Sequence, residues 1–235
     1  MTQNKFQSAA FKLLEQDIAA AVDYLSDQPD TDAEAVAECY LDLQKYLYYE
    51  AKDLANLTLI SAAGIQFALM QAHRLHESAY ALRSHAKALA YNLASYTWPG
   101  WDEPRLPINA AHLAVGLSAA KANLRLAREL EKGDLPLSRA HWVMGAHYLA
   151  TADWPAAIQS FTAAVEHAQK ADATADALLS QGYIALTEIL RTPTNADAQQ
   201  RLADLKSQLV VLEYGVFFVQ QLDSALAVFK AAGAT

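Results

Sequence analysis

The residues best suited to chemistry lie in one short stretch, Trp98-Pro99-Gly100-Trp101-Asp102-Glu103-Pro104. Trp98 and Trp101 could stack on sugar rings, while the two carboxylates could act as the acid and base of glycoside hydrolysis. Adjacent carboxylates on one loop, however, seldom flank a bond at the roughly 5–9 Å separation that this reaction requires. The other interpretation is a rigid, proline-fixed loop whose indoles fill a gap or contact a partner. We favour the second interpretation and predict no catalytic residue.

Histidine and cysteine offer weaker candidates for chemistry. His73 and His76 stand three residues apart, a spacing that can share a metal ion, but no third ligand is indicated at a fixed distance. Cys39 lies on an alanine-rich helical stretch without a nearby histidine, which predicts an inert buried thiol. The sequence has no G-x-S-x-G elbow and no glycine-rich nucleotide loop. We therefore predict neither a metal nor a cofactor, and a protein that is not an enzyme.

Composition narrows the class of protein. The chain has 235 residues, 53% of them hydrophobic and 19% charged, with a net charge of −8. This composition is far from that of a disordered chain, and the acidic balance argues against binding of nucleic acid through its phosphates. The amino-terminal residues lack a secretory pattern, no run of about 18 apolar residues suggests a membrane span, and one cysteine suits a reducing compartment. We expect a cytoplasmic protein.

The positions of helix breakers predict an all-α fold. The sequence has 49 alanines but only eight glycines and seven prolines, and its apolar residues recur at three- and four-residue spacing. The predicted helices cover 4–26, 33–52, 54–96 with a turn inside 73–78, 108–131, 138–150, 153–170, 174–191 and 195–232. The predicted irregular segment is 97–107. Gly133 is expected to end the helix that precedes it.

One segment carries a recognisable repeat. Gly145 and Tyr148 are followed by Ala157, Phe161 and Ala164 at the spacing of two packed helices. This pattern, over about 138–171, resembles the tetratricopeptide repeat, although His141 and Met144 stand where that repeat usually has tryptophan and leucine. Gly182 follows Gly145 by 37 residues and marks a degenerate neighbour. The resemblance implies a TPR-like α-solenoid in a single domain, 1–235, with capping helices at about 4–26 and 209–232 and an inserted loop at 97–107.

In tetratricopeptide proteins the first helix of each repeat lines a concave groove that holds a partner. Carried onto this chain, the resemblance implies that the groove is lined by Tyr91, Ser95, Trp98, Arg139, Trp142, Leu149, Asp176 and Tyr183, with Trp101, Asp102 and Glu103 beside it. Trp142 and Ala146 replace the Lys and Asn that clamp a carboxylate in one known mode of the family. An aromatic-lined groove predicts a protein or peptide partner. Alternatively, these aromatic residues pack against the chain's own terminal helices.

Two further alternatives remain open at the level of sequence. The loop Trp98–Glu103 could instead belong to a carbohydrate-active enzyme or to a sensor of a small ligand. The apolar run near the carboxyl end, 210–222, is too rich for the single buried stripe of a surface helix. Either that helix is buried on several sides, or Phe217 and Phe218 lie at or beside the interface of a homodimer.

Overall fold

The computed structural model describes residues 3–232, and within this range it is all-α, with most consecutive helices packed on one another. The predicted all-α fold is confirmed. Contacts divide the chain after Tyr96 into two compact units, and each unit is described by itself. The sequence-based assignment of a single domain stays a prediction.

Over residues 3–96, the first unit forms five α-helices. They are α1 (Gln3–Leu14), α2 (Ile18–Ser26), α3 (Ala33–Tyr46), α4 (Leu54–Arg74) and α5 (Ala79–Tyr96). The prediction of one helix over 4–26 is wrong, because Asp17 starts a new helix by accepting a hydrogen bond from the Ala19 N–H. The predicted helix over 33–52 ends in a π-helical turn, Leu47–Ala51. The turn predicted inside 73–78 is confirmed between α4 and α5.

The helices α3, α4 and α5 meet at a buried polar side chain and a glycine. Gln44 donates through Nε2 to the Ser61 hydroxyl at 2.7 Å and to the Leu89 carbonyl at 3.0 Å, so it joins all three helices. A Cβ atom on Gly64 would lie 2.8 Å from Tyr40, which is closer than carbon atoms can pack. A small residue at position 64 therefore sets the distance between α3 and α4.

Helix α4 is long and apolar enough, by length and composition, to cross a membrane. Polar residues such as Asn56 and Gln66 interrupt its apolar run, and the prediction that the chain does not span a membrane stays a prediction. In the structure α4 lies against α3 and α5 and buries Leu57, Ile60 and Phe67. A core helix meets the same criterion, and packing of this kind is typical of one.

The described part of the second unit, residues 97–232, forms six α-helices. They are α6 (Ala110–Glu129), α7 (Asp134–Ala150), α8 (Trp154–Lys170), α9 (Thr174–Arg191), α10 (Ala196–Leu209) and α11 (Gly215–Ala232). Each helix from α6 to α10 packs on the helix that follows it. In addition, α9 contacts both α7 and α11. Two helices start where the sequence predicted, since Asp153 and Asn195 accept hydrogen bonds from the Ala156 and Ala198 N–H groups and so cap α8 and α10.

Two predicted boundaries in this unit are wrong. Gly133 has a φ of 83° and precedes α7, which begins at Asp134 rather than Ser138, while α6 has already ended before Leu130. The predicted helix 195–232 is broken by a turn at 210–214. A Cβ atom on Gly215 would lie 1.8 Å from the Leu209 carbonyl oxygen, so only glycine permits this close return of the chain.

The contact predicted at Gly145 is confirmed. A Cβ atom at this position of α7 would lie 2.8 Å from the ring of Phe161 on α8. Ala157, Phe161 and Ala164 are completely buried in the same interface. The small residue on α7 and the ring on α8 together set the spacing of this helix pair.

Gly145→Leu is expected to lower the free energy of unfolding by more than about 2 kcal/mol, because the added side chain must displace the Phe161 ring. Thr162→Leu, on the exposed side of α8, is the matched control and should change stability little. Urea unfolding of the three proteins measures both effects. A Gly145→Leu variant as stable as the control would contradict the helix register.

Candidate functional site

The aromatic residues predicted to line a groove in the second unit are gathered but buried. The ring of Trp98 lies 5.6 Å from that of Trp142 and 5.8 Å from that of Tyr183, and its Nε1 donates to the Ala146 carbonyl at 3.1 Å. Leu149 is buried as well. These side chains form part of the interior of the unit, and we call Trp98, Trp142 and Tyr183 the aromatic cluster.

Helix α11 covers the aromatic cluster. The ring of Phe229 lies 6.3 Å from Trp98, and Leu222 packs where Gly182 leaves room on α9. The sequence left undecided whether this groove is open or filled by the chain's own terminal helices, and in the structure α11 packs against Trp98 on this face. The alternative weighed from sequence, packing of the aromatic residues against a terminal helix, describes the arrangement. A partner could reach the cluster only if α11 moved away, and that role stays a prediction.

The polar members of the predicted groove have other neighbours. Arg139 on α7 and Asp176 on α9 form an ion pair of 2.9 Å at the edge of the second unit. Because the arginine is about half exposed, this pair contributes little to stability, roughly 0–1 kcal/mol. Tyr91 and Ser95 are half-buried on α5 of the first unit, where the Lys87 ammonium lies 5.9 Å from the Tyr91 ring.

The inserted loop packs into the second unit. Pro99–Trp101 form one 3₁₀ turn, and Gly100 lies so close to the Trp98 indole that a Cβ atom would be 2.3 Å away. Trp98 is 1% exposed and cannot stack on a sugar from solvent. Glu103 accepts a hydrogen bond from the Arg105 N–H at 3.2 Å, while Asp102 is exposed at a φ of 54°. The geometry favours a packing role for the loop's indoles.

Several large apolar side chains are exposed to solvent at the connection between α10 and α11. We call the segment 210–217 the apolar turn. Its exposed members are Val210 (48%), Val211 (80%), Tyr214 (71%), Val216 (56%) and Phe217 (53%). The ring of Phe217 stacks on that of Trp101 at 6.4 Å, so the patch adjoins the inserted loop. Sequence analysis singled out these residues but assigned them to a helix that continues through 210–214, which is wrong.

A pair of imidazoles was missed by sequence analysis. His141 on α7 stacks on His167 of α8 with ring centroids 5.5 Å apart, and His167 Nδ1 lies 2.7 Å from an Asp134 carboxylate oxygen. On the other side, Arg128 Nη2 lies 3.3 Å from His141 Nε2. Burial, followed by the charges of Arg128 and His167, lowers the pKa of His141 to about 4. Since Arg128 is a donor, the neutral His141 accepts through Nε2 and carries its proton on Nδ1.

The remaining candidates from the sequence lie apart from these features. His73 and His76 are exposed around the end of α4, and among residues 3–232 no group of three or more potential ligands could hold a metal ion. Cys39 is buried on α3. Burial, with a smaller effect from Asp42, raises the pKa of its thiol to about 12, as expected for an unreactive cysteine.

Comparisons with known proteins assign no family to the chain. A scan against models of protein families, a search of curated proteins and a search of solved structures each returned no match. The structure is an all-helical chain whose consecutive helices pack on one another, which is compatible with a helical repeat.

The pKa of His141 predicts a pH-dependent stability. Its folded value of about 4 lies below the ordinary value of about 6.5, so the folded protein binds fewer protons between these limits. The stability that neutral His141 contributes is complete above about pH 6.5 and is lost as the pH falls towards 4. Between pH 7.5 and pH 5 the wild type should lose about 2 kcal/mol more than His141→Gln. Urea unfolding at the two pH values measures this difference, and equal losses would contradict it.

Proposed function

We propose that this chain is a non-catalytic, cytoplasmic helical-repeat module that binds a protein partner through the apolar turn. The observation that carries the proposal is the exposure of five large apolar side chains within eight residues. Exposed apolar patches that are contiguous, unlike scattered single residues, mark interaction surfaces.

The proposal includes a finer assignment of the fold. The pairs α7–α8 and α9–α10 are two TPR-like repeats of an α-solenoid, and α11 is their capping helix. Three-residue connections join α7 to α8 and α8 to α9, and α7 touches α9 as the first helices of successive repeats do. The contact of Gly145 with Phe161 supports the register of the first repeat.

Both ends of the apolar turn are fixed by packing, so the turn is already ordered before a partner binds. Leu209 is fully buried, and the chain passes so close at Gly215 that no larger residue fits. Phe217 is fixed further by its stacking on Trp101. Binding by a patch that is already ordered loses less conformational entropy, so each buried apolar group adds more to affinity.

Site-specific photo-crosslinking in the native host would test the proposal. A benzophenone amino acid at Tyr214 should give one discrete product, identified by mass spectrometry as this chain joined to a different protein. The matched control carries the same group at Tyr80, which is similarly exposed but lies on α5 of the first unit. A product that contains only this chain would show that the surface forms a homodimer and does not bind a different protein. No discrete product, or the same product from Tyr80, would contradict the proposed surface.

Val211→Asp should leave the thermal stability within error, because this side chain is 80% exposed, and should remove the Tyr214 crosslink. Introducing a charge into an apolar interface costs several kcal/mol when the charge has no partner, which corresponds to a loss of at least about 100-fold in affinity. Glu213→Asp, which keeps the charge of the turn, is the control. Retention of the crosslink in Val211→Asp would exclude the turn as the interface.

A further inference from the structure

An open cleft of about 450 Å³ lies between α6 and α7, away from the apolar turn. Three cationic side chains from α6 line it: Lys121, Arg125 and Arg128, spaced so that they share one face of the helix. Leu124 from α6 and Met144 from α7 form an apolar part of the wall. The cleft therefore combines positive charge with a surface for an apolar group.

The charge of this cleft is opposite to that of the chain. The protein carries a net charge of −8, whereas the cleft has three cations and one carboxylate, Glu129, which pairs with Arg125 at 3.5 Å. The net lining charge of two positive units would balance the two negative charges of a phosphomonoester dianion. Arginine and lysine together are the residues that most often bind phosphate, because guanidinium presents several N–H donors in one plane.

His141 gives Arg128 of the cleft a fixed hydrogen-bond acceptor. It lines the cleft, is 7% exposed, and accepts from Arg128, which orients the guanidinium. Within the part of the chain that the structure describes, the Nδ1 atom of this imidazole has no hydrogen-bond partner. Because this nitrogen is shielded from solvent, His141 acts on the cleft through its contact with Arg128.

We propose that the cleft between α6 and α7 binds a phosphomonoester, with its phosphoryl group on Lys121 and Arg128 and its apolar body on Leu124 and Met144. His141 is a positioning residue, since it holds Arg128 in place. Arg125 contributes less because Glu129 already neutralises it. The inference is independent of the apolar turn and of its partner.

Titration calorimetry with phenyl phosphate as the probe tests the site. The wild type should bind it saturably, and Arg128→Gln and Lys121→Gln should each weaken binding by at least about tenfold, the loss expected for one charge-assisted hydrogen bond. Lys170→Gln, an exposed cation on α8 outside the cleft, is the matched control and should bind as the wild type does. Circular dichroism of each variant verifies that it is folded.

Three comparisons decide between the possible outcomes. Met144→Ala should weaken phenyl phosphate but not inorganic phosphate, since only the former uses the apolar wall. If a phosphoserine peptide binds more tightly than phenyl phosphate, the phosphoryl group comes from a phosphoprotein. If phenyl phosphate binds more tightly, the ligand is a small metabolite. Absence of saturable binding of phenyl phosphate, or equal weakening by Lys170→Gln, would overturn the proposal.

Discussion

Burial of the Trp98 indole is the interaction on which the second unit depends. The ring is 1% exposed and lies against aromatic rings of α7, α9 and α11, while its one polar atom donates to the Ala146 carbonyl. An indole so placed buries a large apolar area without leaving its N–H unsatisfied. An irregular loop with three prolines is ordered by this contact. Its tryptophans therefore stabilise the fold, and their presence in a loop is weak evidence for a substrate site.

The position of α11 follows from the aromatic cluster and determines which surface is available. To cover Trp98 and the space beside Gly182, the chain must reverse between α10 and α11 within a few residues. A reversal that tight brings Gly215 against the Leu209 carbonyl and leaves Val210, Val211 and Tyr214 exposed. The exposure of Val211 and Tyr214 is thus the consequence of burying the aromatic cluster. The fold buries the aromatic cluster and leaves the apolar side chains of Val211 and Tyr214 exposed to solvent.

The sequence predicted the features that depend on neighbouring residues. Asp153 and Asn195 start helices through their own side chains, and the contact of Gly145 with Phe161 follows from a local repeat. The break at 210–214 was not predicted, because its apolar residues fit a helix and only the distant contact of α11 with α9 favours the turn. The imidazole site was missed for a similar reason. His141 lies 13 residues from Arg128 and 26 from His167, separations with no regular pattern.

A residue that departs from a repeat pattern often serves a function other than packing of the helices. Under the proposed repeat assignment, His141 and Met144 are the two residues of α7 that replace the usual tryptophan and leucine, and both line the cleft against α6. A tryptophan at position 141 would fill space that the smaller imidazole leaves and could not accept a hydrogen bond from Arg128. A buried histidine also needs a hydrogen-bond partner that a fully apolar side chain would not need. An imidazole here is accounted for if its purpose is to orient Arg128 towards a ligand.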